Sequence, residues 1–73
     1  MSYQLTDIER VLDKYGEVEC VLESDRSYEL HKHDTKFDEE AGEVITEGMI
    51  EGEYTVVRFP ASSVEHFTYH KES

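Results

Sequence analysis

Four histidines come closest, among the side chains of this sequence, to residues whose spacing could carry chemistry. His31 and His33 are two apart, which places both on one face of a strand, and His66 and His70 are four apart, on one face of a strand or helix alike. Neutral imidazoles in such pairs suit zinc, copper or nickel, with Asp34 or Glu65 at hand to add a carboxylate. A metal site built on His31, His33, His66 and His70 is therefore one expectation, and it needs the fold to join two distant segments. The competing role, imidazoles that fill polar gaps at the surface, asks nothing of the fold.

A second constellation is cationic. Arg26, Lys32, Lys36 and Arg58, if gathered beside Tyr28 or Tyr54, would make a stacking patch for a nucleic-acid strand. The charge balance opposes this, because 18 Asp and Glu face only 7 Lys and Arg, a formal net charge of -11. Phosphate contacts need a basic footprint and the release of counterions, and high salt weakens them along with the repulsion. The alternative role for these cations is pairing with their acidic neighbours, each pair contributing little.

Catalytic equipment is sparse. Cys20 is the single cysteine, so no intrachain disulfide or multi-cysteine zinc site can form, and its setting in a strand pattern suits a small buried hydrophobe. No serine sits in a glycine-rich elbow and no glycine loop is built to cradle phosphate. The acidic turn over residues 38–43 lacks EF-hand spacing. In so acidic a chain, neighbouring carboxylates arise by chance. These features point to a protein that is not an enzyme, with no catalytic residue and no cofactor.

The elements that would position these groups follow from periodicity. Thr6 and Glu9 have capping-box spacing, and Ile8, Val11, Leu12 and Tyr15 form one apolar stripe, which predicts a helix over 6–15 ended by Gly16. Residues 17–23 alternate, with Val18, Cys20 and Leu22 inward and glutamates outward. Turn-forming residues 24–27 lead into a second strand over 28–37, whose apolar side switches midway and predicts a bulge or bend near 31–34. A third strand over 44–50 is weakened or bulged at Gly48, and a tight turn at 51–53 leads into 54–60. That last run, Tyr54 to Phe59, is the densest in β-branched and aromatic residues and reads as the central strand, with Val57 and Phe59 inward and Tyr54, Val56 and Arg58 available to a partner. After Pro60, a fifth strand over 64–70 is favoured over a helix.

The expected fold is thus α+β, a single domain over 1–73 with an N-terminal helix and a four- to five-stranded antiparallel meander. In element order, including the short turn between the fourth and fifth strands, it resembles a small SH3-like or Sm-like barrel. It departs from RNA-binding Sm proteins in lacking an Asp-x-x-Asn pattern after the second strand and an Arg-Gly after the fourth, where Arg58 is followed by Phe59.

A chain of 73 residues buries only roughly 60% of its unfolded surface, a thin core with no disulfide to reinforce it. Its acidity is spread along the whole length with apolar residues interleaved, which describes a folded domain with an acidic skin, relieved when salt shortens the screening length. No apolar run is long enough to span a membrane and no basic-then-apolar leader is visible, so the expectation is a cytoplasmic, salt-adapted protein. The first functional expectation is a non-enzymatic interaction or regulatory domain, acting as a homo-oligomer or with a protein partner, with Tyr54, Val56 and Arg58 at the interface. A nucleic-acid-binding barrel active at high salt is the alternative, and a histidine-based metal-binding protein is the third.

Overall fold

The computed structural model describes residues 3–69. Helix α1 (Leu5–Tyr15) begins one residue before the predicted start, because the Gln4 N–H donates to the Asp7 carboxylate at 2.9 Å and Gln4 takes the cap position expected of Thr6. Its stripe buries Ile8 and Leu12. Gly16 ends it in the left-handed region, φ 74°, with its N–H donating to the Leu12 carbonyl at 2.7 Å.

Six strands follow: β1 (Glu17–Leu22), β2 (Ser27–His31), β3 (Thr35–Asp38), β4 (Glu43–Ile50), β5 (Glu53–Pro60) and β6 (Val64–Thr68). They form two antiparallel three-stranded sheets, ordered β2-β1-β6 and β3-β4-β5. The predicted second strand is divided. A single 3-10 turn over Lys32–Asp34 interrupts it, closed by the Thr35 hydroxyl donating to the His31 carbonyl at 2.8 Å. This turn carries the chain from one sheet to the other, which raises the strand count from the expected four or five to six and replaces a single meander with two sheets.

Three further expectations are corrected or refined. The 54–60 run is an edge strand, since β5 pairs only with β4 among the described residues; β4 and β1 are the central strands. Gly48 introduces no bulge, and the β4–β5 register runs unbroken from Glu43↔Pro60 to Ile50↔Glu53. The irregularity lies elsewhere, between Val21 and Leu22 where β1 meets β6. Beyond Pro60 a 3-10 turn over Ala61–Ser63, held by the Ser63 hydroxyl donating to the Pro60 carbonyl at 2.7 Å, delivers β6 as the expected strand.

One apolar core joins the parts. Ile8 and Leu12 of the helix meet Val18, Cys20, Leu22 and Leu30 of the first sheet, Val44 and Phe59 of the second, and Ala61 and Val64 beyond them. Tyr28 stacks on Phe59 across the sheets, ring centroids 5.7 Å apart. Thr46 is the one buried polar side chain among the described residues, and its hydroxyl lies 3.3 Å from that of Thr35. The buried hydroxyl is thereby satisfied without importing charge into a core that has little apolar area to spare.

Candidate functional site

Strand alternation turns the charged side chains of β1 and β2 outward, and register decides which of them meet. Glu17 stands opposite His31 and Glu19 opposite Glu29. The His31 ring lies between two carboxylates, Nδ1 at 3.7 Å from Glu17 and Nε2 at 3.4 Å from Glu29. One donor atom from each of the three falls within 4.8 Å of the others, a set that suits a divalent transition metal in donor type, although all three side chains are 41% exposed or more. The other histidines do not join it. His33 faces Asp34 at 3.4 Å with its ring centroid 6.1 Å from that of His31, and His66 sits on β6 with Glu65 at 3.2 Å. His70 lies outside the described residues. Of the carboxylates beside His31, Glu29 lies two residues before it on β2 and shares its face by alternation, whereas Glu17 stands there through the β1–β2 register, which sequence periodicity does not supply.

The outer face of the second sheet has a different character. Its rows across the strands are Asp38, Glu43 and Pro60; then Lys36, Ile45 and Arg58; then Glu47 with Val56; then Met49 with Tyr54. Arg58 donates from Nε and Nη2 to Glu43 at 3.1 and 2.9 Å and from Nη2 to Asp38 at 3.0 Å, so one guanidinium draws two carboxylates together. Glu43 and then Asp38 push the guanidinium pKa up. Met49 and Tyr54 are each 68% exposed and Val56 57%, adjacent on this face at the hairpin end. The Glu47 carboxylate, hydrogen-bonded to the Tyr54 hydroxyl, raises the phenol pKa. Met49 was not singled out in sequence; its place opposite Tyr54 in the register supplies the signal.

The four cations divide between surfaces. Lys36 and Arg58 flank Ile45 on the second sheet, Lys32 pairs with Asp13 of the helix at 3.4 Å, and Arg26 lies in the turn between β1 and β2. Tyr28, proposed to stack bases, stacks instead on Phe59. Cys20 is fully buried, and loss of water pushes its thiol up to about 12, so it is held protonated.

Among the described residues no helix is long and apolar enough to cross a membrane. No protein-family model, no curated protein and no solved structure matches this chain.

Proposed function

We propose that this protein is a small, non-enzymatic interaction domain that associates with itself and works in a salt-rich cytoplasm. The observation that carries the reading is the contiguous exposure of Met49, Tyr54 and Val56, three large apolar side chains on one sheet face of a chain whose surface is otherwise dense in carboxylates. Next to them Arg58 pairs with Glu43 and Asp38, and with Lys36 on the same face these four side chains sum to no net charge, so this face presents little net charge to a partner. Self-association also adds buried area to a thin core.

The finer architecture belongs to the same reading. β6 returns to pair with β1, the two sheets share one core, and a 3-10 turn separates the last two strands, an arrangement consistent with a small SH3-like or Sm-like barrel. Fold likeness alone carries no activity.

Light scattering at low and molar KCl tests the proposal: salt screens the acidic skin, so the oligomer should be favoured at molar KCl and the thermal midpoint should rise with it. A strict monomer at high protein concentration in molar KCl would overturn it. The convergence of Glu17, Glu29 and His31 favours one secondary reading, transition-metal binding at that trio. Calorimetric titration with zinc, compared with His31→Ala, decides it; no heat at micromolar zinc ends that reading.

A further inference from the structure

We infer that two copies of this chain join through β5, edge to edge and antiparallel, in a register centred on Val56. This pairing presupposes the self-association proposed above and specifies its surface.

Glu51 and Gly52, with φ 51° and 84°, form a two-residue turn with both central residues in the left-handed region, so the flanking pair Ile50 and Glu53 is hydrogen-bonded. Alternation from there makes Gly48–Thr55, Thr46–Val57 and Val44–Phe59 hydrogen-bonded pairs as well. The Ala61 N–H donating to the Gly42 carbonyl at 2.9 Å, one step further along, fits the same phase. The backbone N–H and C=O of Tyr54, Val56 and Arg58 therefore point away from β4, toward the side where β5 has no neighbouring strand among the described residues. Pro60, next in that series, has no N–H to offer and ends the pairing segment.

This edge also lacks the usual protections. β3 spans only Thr35–Asp38 and carries Lys36, β2 spans only Ser27–His31, and β6 lies against an irregular ladder. β5 spans Glu53–Pro60 with no lysine, no bulge and no proline before its last residue, and its inward side chains Thr55, Val57 and Phe59 are uncharged.

Self-pairing satisfies this edge in one register above others. With Val56 opposite Val56 of the second copy, Tyr54 faces Arg58 and Arg58 faces Tyr54, so all three free N–H groups and all three free carbonyls of each copy find partners. A slip of two residues leaves one of these groups opposite Gly52 or Pro60. The centred register also suits the charges. The two charged residues of β5 are Glu53 and Arg58, and neither meets its like: Glu53 faces Phe59, and the Arg58 guanidinium faces an aromatic ring. In a chain of net charge -11, an edge that can meet its own copy without opposing carboxylates is where association costs least. The result is a two-fold dimer with one continuous sheet and an apolar strip of Val56 and Tyr54 from both copies across its outer face.

Three variants of the full chain test this in molar KCl. Val56→Cys should form a homodimer disulfide under mild oxidation while wild type, with Cys20 buried, does not, because residues facing each other across such a ladder lie within disulfide reach. Val56→Pro removes a donor that β4 does not use, so circular dichroism should stay native while the dimer dissociation constant rises roughly tenfold or more. A wild-type oligomer that persists in Val56→Pro with no Val56→Cys cross-link overturns the β5 pairing and leaves self-association standing. Cross-linking of Val56→Cys to His66→Cys on β6, in place of the homodimer, overturns it in favour of a head-to-tail assembly. A monomeric wild type overturns both.

Discussion

The outer faces of the two sheets were built from the same acidic composition and came out opposite. On the first, β1 and β2 set Glu19 against Glu29 and ring His31 with Glu17 and Glu29, so like charges stand directly across a ladder. On the second, Arg58 gathers Glu43 and Asp38, and the hairpin end is left to Met49, Tyr54 and Val56. The contrast is what would let a strongly acidic domain associate as proposed: repulsion is concentrated on one face, and on the other Arg58 and Lys36 offset the charges of Asp38 and Glu43. Cross-strand register, not composition, makes the division, since a one-residue slip of either ladder would exchange the faces.

That contrast presumes that both sheets hang on one core, and the largest predicted effect tests it. Leu30 of the first sheet is fully buried, and Leu30→Ala should cost ~2–5 kcal/mol and lower a single cooperative melt. Hydrogen exchange that stripped protection from β1 and β2 while leaving β4 and β5 protected would show two independent halves. Cys20 gives a comparable effect at alkaline pH. Its pKa rises from about 9 in the unfolded chain to about 12 when buried, so the folded state holds a proton the unfolded state has lost. Stability should be insensitive to this group below about pH 9 and fall between about 9 and 12, a slope that Cys20→Ala removes. The same burial predicts that a thiol reagent labels Cys20 in urea and not in the folded protein at neutral pH; rapid labelling under native conditions would contradict the placement of β1.

A smaller effect bears on the second sheet alone. Gly52 holds φ 84° in the turn that sets the β4–β5 register, with open space where a Cβ would stand, so Gly52→Val acts through the backbone. It should cost ~1–2 kcal/mol, read as a shift in the urea midpoint. Loss of oligomer in this variant without loss of fold would show that the exposed apolar patch depends on a correctly phased hairpin.

Local pattern was enough to read much of this fold. The stripe of α1, the inward Val18, Cys20 and Leu22, the glycine turns and the strand after Pro60 all follow from side-chain period and turn chemistry, which act within a few residues. The break at Lys32–Asp34 was visible as a switch of apolar side, but whether such a switch bends one strand or sends the chain to another sheet depends on which strands lie beyond it. The same limit explains β5. Its β-branched and aromatic residues suggest the central strand, yet it lies at an edge, because propensity reports fit to a pleated surface and not position within a sheet. The candidate sites divide in the same way: Tyr54, Val56 and Arg58 share a face by alternation alone, as do Glu29 and His31, whereas Glu17 reaches His31 only through pairing.

The smallest predicted effect separates the two faces most directly. Glu19→Gln removes one of two carboxylates held opposite each other and should stabilise the fold by a few tenths of a kcal/mol in dilute buffer. Molar KCl screens that repulsion to within a few ångströms, so the gain should shrink toward nothing there. Glu43→Gln, on the other sheet, should act in the reverse sense. It removes one of the two negative charges paired with Arg58, although the amide oxygen still accepts, so dilute buffer should show a loss where Glu19→Gln shows a gain. Opposite signs from the same chemical change, both fading with salt, would establish that register assigns the two faces their different electrostatic roles; equal signs would mean that net charge alone governs this domain.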